Sequence, residues 1–503
     1  MLNENKKHFP ARYALFFLLI IASVFIFSLF FFLLRKTIPI LTPALFLIKV
    51  VFSLTVISSS LTEKCKSSWL FFILTLPLVS IPAYLVFMNA RLTKKEKSML
   101  KFASNEIPKH DAFNSKAALK CNDNFAFAKE ISDFSGVEVY SNTSAKYISN
   151  AEEMFDLLLR DIGRAKRFIF LEFYTVATGK TFGKICKSLI EKASLGIDVR
   201  IIYDELGSLG RVPERFSSLM KKYGIKAVSH PSLTGTFPSA INNRNHRKIA
   251  VIDGTVAYSG GINLADEYIN PCPKLKKWKD SAVRIEGEAV MALTHTFLSD
   301  FSMSCGLMED FSPFYKYGKK RCDGRVAVFN DGPSSHYKEK NAKRIILSML
   351  SQSEKYFTVT TPYLVCGSDV FSAIENAVRR GVRVKIIIPS KSDGFFSDIL
   401  TRHYAAAISD LGADIYVYRP GFLHSKTYNS DGKYLMCGSI NLDYRSLTHN
   451  FENGLLFIFH PVIKDFQADT DEILKNSTPW EKKKEPLYLK LIGALTELLA
   501  PLF

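Results

Sequence analysis

Asn245-His-Arg-Lys-Ile-Ala-Val-Ile-Asp253 and Leu423-His-Ser-Lys-Thr-Tyr-Asn-Ser-Asp431 are the two stretches from which the fold is read. Each holds His-x-Lys and then, after four intervening residues, Asp: His246, Lys248 and Asp253 in one, His424, Lys426 and Asp431 in the other. Each is followed by a glycine-containing run of one pattern, Ser259-Gly-Gly-Ile-Asn-Leu264 and Cys437-Gly-Ser-Ile-Asn-Leu442. One histidine near one lysine carries little information. The same residue types at the same spacing, twice, with matching trailers, point to a duplicated unit and one active site divided between its copies. Each copy would offer an imidazole and an ammonium to a phosphate group.

The flanks repeat as well. A helical pattern at 149–160, an apolar strand at 167–174, a helix at 181–193 and a strand at 196–204 precede the first motif. The second follows a helix at 340–351, a strand at 356–365, a helix at 369–379, a strand at 381–389, a helix at 395–411 and a strand at 412–418. Strands alternating with helices predict an α/β fold with a parallel sheet covered on both faces. A repeat of whole-domain size predicts a pseudo-twofold pair of α/β/α halves, residues 135–320 and 321–480, rather than a solenoid. Alternation along the motif strand puts His246 and Lys248 on one face. Asp253 then falls on the other face, as a strand-end or supporting residue, although the motif as a whole is taken as the catalytic set. Gly261 and Asn263, with Ser439 and Asn441 in the repeat, are candidate substrate-binding positions, where backbone or amide donors approach a phosphate. His230, His295, His403 and His449 lie outside any repeated motif and read as packing or surface residues.

The N-terminal part differs in composition. Apolar runs at 13–34, 38–61 and 69–88 predict two or three membrane helices within an anchoring region, 1–90. The first is too long for a signal-peptide core and runs into Arg35-Lys36 instead of a cleavage site. With two crossings, both chain ends lie on the cytoplasmic side, which suits eight scattered cysteines without a Cys-x-x-Cys pair. A polar linker follows at 91–134, and 481–503 reads as an amphipathic tail lying in the interface. The net charge of +18 over 503 residues points to an anionic partner, nucleic acid or an acidic membrane surface. Lys274 to Lys279 around Trp278 reads equally as a headgroup contact or a solvated charge run.

The two His-x-Lys-x4-Asp motifs resemble those of the phospholipase D superfamily. Within it, the hydrophobic start, the Thr361-Pro-Tyr363 strand and the run Gly438-Ser-Ile-Asn-Leu-Asp-Tyr-Arg-Ser-Leu-Thr-His-Asn-Phe-Glu452 are similar to bacterial cardiolipin synthases. Asp300-Phe-Ser302 departs from that pattern where a tryptophan is common. The resemblance implies transfer of a phosphatidyl group between two phosphatidylglycerols through a phosphatidyl-histidine, with His246 as nucleophile and His424 as acid and base. It implies the lipid bilayer as partner and no metal or cofactor. Glu452, or Asp266 and Glu267, would orient an imidazole. Alternatives within the chemistry are a lipid hydrolase or a transferase for another alcohol; a nuclease is disfavoured because both motifs and the apolar segments share one chain. Nucleic acid is therefore not expected as a partner, and the oligomeric state stays open.

Overall fold

The computed structural model describes residues 40–59, 61, 63–88, 94–106, 126–230, 243–269, 277–316, 318–333, 336–337 and 339–481, with isolated residues near both ends. Most of the apolar run 13–34, much of the linker and most of the tail lie outside the described residues. Among the described residues, one helix, Leu41–Ser58, is long and apolar enough to cross a membrane, and it is almost wholly exposed.

The run 69–88 is not a single crossing. Helices Glu63–Thr75 and Pro77–Met88 meet at Leu76, and the Trp69 and Tyr84 rings lie 5.2 Å apart. In one straight helix those positions would be about 22 Å apart. The chain therefore doubles back at Pro77, whose ring and missing N–H break a helix. Neither arm, 13 and 12 residues, spans a hydrocarbon core of about 30 Å. Val56 of the long helix packs with Trp69, Ile73, Ile81 and Tyr84 against this hairpin.

Among the described residues, the first half of the sequence carries nine strands: β1 (Val139–Tyr140), β2 (Thr143–Ile148), β3 (Phe168–Phe173), β4 (Asp198–Tyr203), β5 (Lys226–Ser229), β6 (Lys248–Ile252), β7 (Val256–Gly260), β8 (Lys277–Lys279) and β9 (Ala282–Gly287). The second half holds β10 (Arg325–Asp331), β11 (Tyr356–Thr360), β12 (Arg383–Pro389), β13 (Asp414–Tyr418), β14 (Gly421–Leu423), β15 (Thr427–Ser430), β16 (Tyr434–Gly438), β17 (Glu452–Ile458) and β18 (Ser477–Pro479). One sheet runs β2-β9-β7-β6-β3-β4-β5 and the other β1-β10-β17-β16-β15-β11-β12-β13-β18.

Both sheets are mixed, not parallel. β3, β4 and β5, and likewise β11, β12 and β13, are parallel as the strand–helix alternation predicts. The motif strands β6 and β15 run antiparallel to β3 and β11. Each is also antiparallel to the strand that follows it, β6 to β7 and β15 to β16, across a tight turn. Asp253-Gly254 and Asp431-Gly432 all have positive φ, between 54° and 67°, the two-residue Asp-Gly turn whose twist matches a hairpin.

Three apolar cores set the layers. Helices Ala151–Arg164 and Lys180–Ser194 cover the outer face of the first sheet, and Asn341–Gln352, Ser368–Arg379 and Phe395–Asp410 cover that of the second. Between the sheets lies a shared core to which β3, β6 and β9, then β10, β16 and β17, and the helices Val290–Cys305 and Val462–Lys475 contribute. The halves also exchange segments. Helix Ala126–Ser135, in the expected linker, buries Phe127 and Ile131 in the second-half core, and β1 joins the second sheet. The linker's Lys94–Asn105 is also helical and places Ala103 in the shared core.

Candidate active site

Each motif histidine is hung from the opposite half. The His246 N–H donates to the Phe451 carbonyl at 2.9 Å, and the next residue, Glu452, opens β17. The His424 N–H donates to the Lys279 carbonyl at 2.7 Å, where β14 pairs with β8, and Asp280 is next in line. The carboxylates follow from this docking. Glu452 meets His246 Nδ1 with both oxygens at 3.0 Å, and Asp280 Oδ2 meets His424 Nδ1 at 2.6 Å. A carboxylate on Nδ1 sets the ring's orientation and turns Nε2 toward substrate.

Each lysine, two residues on, shares its histidine's side of the chain. Lys248 Nζ donates to the His246 carbonyl at 2.6 Å, and Lys426 Nζ donates to the His424 carbonyl and lies 2.9 Å from His424 Nδ1. Both lysines are buried. Burial disfavours an ammonium, and it brings Lys248 down to about 7 and Lys426 down to about 8, against the pull of nearby carboxylates. Burial, then the Lys426 charge, drives His424 to about 3; His246 is also lowered, chiefly by burial. For Glu452 burial acts upward, but His246, Lys248 and the Ser439 hydroxyl together hold it below the usual carboxylate range. The resting site thus favours neutral imidazoles and an ionised Glu452. Tyr174 stands 5.1 Å from the His246 ring, and Trp278 stands 5.1 Å from that of His424.

Several expected site residues have other work. Asp253 accepts the backbone N–H groups of Lys166, Arg167 and Phe168, and Asp431 accepts those of Glu354, Lys355 and Tyr356. Both sit at the far end of their strands, about 16 Å of extended chain beyond the lysines. They lock the hairpin turn to the start of the neighbouring strand and are not part of the catalytic set. Asp253→Ala is expected to lower stability by about 1–3 kcal/mol by orphaning those donors. Transfer per folded molecule should stay unchanged, and calorimetry with kcat on the same sample checks both.

Asp266 and Glu267 do not orient a histidine either. Asp266 accepts the first N–H groups of helix Lys180–Ser194, and Glu267 pairs with Arg211. Gly261 spends its N–H on the Ser281 carbonyl at 2.9 Å, so it does not face a phosphate. Its missing side chain matters instead, because a Cβ there would lie 2.2 Å from the Asp280 carboxylate. Ser439, its counterpart, donates its hydroxyl to Glu452. Asn263 accepts from the Thr175 N–H at 3.0 Å and donates to the Tyr268 hydroxyl at 2.8 Å, and is thereby held within the fold. Asn441 is buried, and its Oδ1 has no hydrogen-bond partner among the described residues.

Asp280 is the residue missed by reading the sequence. Its signal was available, since Asp280 stands just ahead of β9 as Glu452 stands at the head of β17, each after a Gly-x-Ile-Asn run. In the charged run around it Lys279 pairs with Asp469 at 2.5 Å and the exposed Lys277 with Glu152 at 2.7 Å; Lys274 and Lys276 lie outside the described residues. Arg247 was also passed over. Fully buried between the two motif residues, it pairs with Asp300, just ahead of the departure noted above, and donates to the Tyr337 hydroxyl at 2.9 Å. Glu172, beside them and held by the Asn245 amide at 2.7 Å, is raised well above the usual carboxyl range by burial and the Asp300 charge. The second half has Ser425 and Thr360 there, bonded at 3.0 Å. Among the described residues no His, Cys, Asp or Glu cluster could hold a metal ion.

The family model described as cardiolipin synthase, PLD-like domain, matches residues 158–300 and 346–474, one copy on each half. The chain belongs to the cardiolipin synthase family. A cardiolipin synthase of Listeria welshimeri is 31% identical over 374 residues, 73% of this chain and 77% of that one. Cardiolipin synthase 1 of Bacillus cereus is 28% identical over 452 residues, 86% of this chain and 88% of its own. Among solved structures, a phosphatidylserine synthase from Haemophilus influenzae superposes with a TM-score of 0.57 at 14% identity. That match covers 76% of this chain and 98% of that one, a likeness of fold. In this member of the cardiolipin synthase family, both domain copies complete each other's histidine.

Proposed function

We propose that this chain is a membrane phosphatidyltransferase that condenses two phosphatidylglycerols into cardiolipin and glycerol. The observation that carries the proposal is the crosswise pairing of two imidazoles with Glu452 and Asp280, each beside a buried lysine. His246 Nε2 attacks phosphorus, and the bond from phosphorus to the glycerol oxygen breaks as His424 gives that oxygen its proton. The phosphatidyl group then rests on His246. The hydroxyl of a second phosphatidylglycerol gives its proton to His424, its oxygen bonds to phosphorus, and the phosphorus–nitrogen bond breaks. Lys248 and Lys426 neutralise the non-bridging oxygens, whose charge grows toward each transition state.

The assignment of roles draws on the ring partners. Nδ1 of His246 faces only a carboxylate, which keeps its proton there and presents a lone pair on Nε2. Nδ1 of His424 lies between Asp280 and the Lys426 ammonium. Asp280 there favours the imidazolium from which His424 gives its proton, and Lys426 favours the neutral ring that takes one back. The membrane would hold the chain by Leu41–Ser58 and the preceding apolar run, with the Pro77 hairpin dipping in and returning. Two crossings leave the catalytic halves in the cytoplasm.

Mass-spectrometric analysis of products from phosphatidylglycerol alone tests the activity. Cardiolipin with equimolar glycerol is expected; phosphatidic acid in its place would mean a hydrolase. The pH profile tests the lysines. The free enzyme needs charged Lys248, whose ammonium is lost as pH rises through about 7, so kcat/KM should fall above that point. His246 must be neutral at the start of the cycle, and its lowered value puts the acid limb below the ordinary histidine range. His424 must carry on Nε2 the proton it gives to glycerol, and the bound phosphodiester anion favours that imidazolium. A bound phosphodiester anion favours the ammonium, so the basic limb of kcat should lie at higher pH than that of kcat/KM. A basic limb unmoved by Lys248→Arg would remove Lys248 from this role.

A further inference from the structure

The helix Phe395–Asp410 joins three parts of the molecule. At its start Phe395 and Phe396 are 67% and 64% exposed, with rings 5.5 Å apart. This is not a loose end. The Asp398 carboxylate accepts the Ser392 N–H at 3.0 Å and the Arg402 Nε–H at 2.7 Å, and Arg402 also donates to the Ser390 carbonyl at 2.7 Å. Two aromatic rings are thus held out into solvent by a braced helix start.

Two turns along, the same helix meets the anchor. Lys64 Nζ donates to the Tyr404 hydroxyl at 2.8 Å and to Glu497 of the tail at 2.7 Å. Lys64 stands at the start of helix Glu63–Thr75, six residues past the apolar helix Leu41–Ser58, and Lys66 Nζ donates to the Ile57 carbonyl at the end of that apolar helix. At 1.5 Å per residue, the phenylalanine pair lies about 12 Å along the helix from this junction. Behind the pair, the Asp393 carboxylate accepts the Tyr363 hydroxyl at 2.8 Å. Tyr363 follows β11, the strand paired with the motif strand β15. The pair therefore stands near where the span ends and is linked by one hydrogen bond to the strand beside Lys426.

We infer that Phe395 and Phe396 form an interfacial wedge that enters the acyl region of the bilayer and seats the mouth of the histidine site against the membrane. Lipid substrate then reaches the histidines from the bilayer plane. The inference rests on the phospholipid-substrate reading above. The bilayer is the occupant because a membrane holding Leu41–Ser58 ends within reach of these rings. Exposed aromatic rings beside an apolar span are stabilised by the same transfer from water that holds the span. In the first half Leu206, in the loop after β4, is exposed as well, at the position corresponding to the loop after β12.

Full-length protein in phosphatidylglycerol vesicles tests this with the double variant F395S/F396S. Transfer on long-chain phosphatidylglycerol in vesicles should fall on the order of tenfold or more, given the apolar area withdrawn from the bilayer. The rate on monomeric short-chain phosphatidylglycerol should stay within about twofold. In parallel, F395W should gain fluorescence that brominated lipids quench beyond the level of the native tryptophans. Equal vesicle rates together with no added quenching overturn the wedge. So does a shift in oligomeric state of the double variant without quenching, which would make the pair a contact between copies. If wild type and variant alike leave both forms of phosphatidylglycerol untouched, the substrate reading fails, and the quenching result alone decides the wedge.

Discussion

His246→Ala and His424→Ala are each expected to lower phosphatidyl transfer by on the order of 10⁴-fold or more, with the protein still folded and in the membrane fraction. The two losses should differ in kind. Without His246 no phosphorus–nitrogen bond forms, so neither half-reaction proceeds whatever the leaving group. Without His424 the attack survives, but a glycerol alkoxide leaves unprotonated. A substrate with a p-nitrophenolate leaving group needs no such proton, so His424→Ala should release nitrophenol in one burst and keep the phosphatidyl group on His246. Intact-protein mass spectrometry reads that adduct directly. An adduct on His424 in the His246→Ala protein would reverse the roles, and near-normal cardiolipin synthesis by either variant would sink the mechanism.

The carboxylates come next in expected effect. Glu452→Gln and Asp280→Asn preserve shape but replace the acceptor at Nδ1 with an amide that can present N–H there. Each should cost on the order of 10²–10³-fold in kcat, because the ring loses the proton position its role needs. The crosswise geometry makes a sharper claim. Asp280 stands in the first half but serves the second-half histidine, so Asp280→Asn should behave like His424→Ala and be rescued by the nitrophenolate leaving group. Glu452→Gln should behave like His246→Ala and gain nothing from it. Exchanged phenotypes would mean that each carboxylate serves the histidine of its own half. Melting temperatures close to wild type would exclude collapse of the shared core as the cause.

The repeat was legible because its signals are local. Helices Lys180–Ser194, Asn341–Gln352, Ser368–Arg379 and Phe395–Asp410 lie within a residue or so of the positions their apolar periodicity marks. The Asp-Gly turn after each motif strand was also in plain view, and it implies a hairpin where strand–helix alternation suggested parallel neighbours. Periodicity reports which residues face a core, not whose core it is. That is why Ala126–Ser135 and β1 read as linker and first half yet pack with the second. The run 69–88 has the composition of a crossing, and only the contact between Trp69 and Tyr84 reveals that it folds back.

The histidines and lysines were determined by the sequence itself, because a spacing of two along extended chain puts both side chains on one side wherever the strand ends up. The partners that give those groups their chemistry were decided by the tertiary structure. Glu452 lies 206 residues from His246, and Asp280 lies 144 residues from His424. No local rule connects positions so far apart; they meet because the two sheets close on one core and each motif pairs its backbone with the other half. The lowered lysines have the same origin, since burial that brings Lys248 to about 7 exists only once both halves have closed over it.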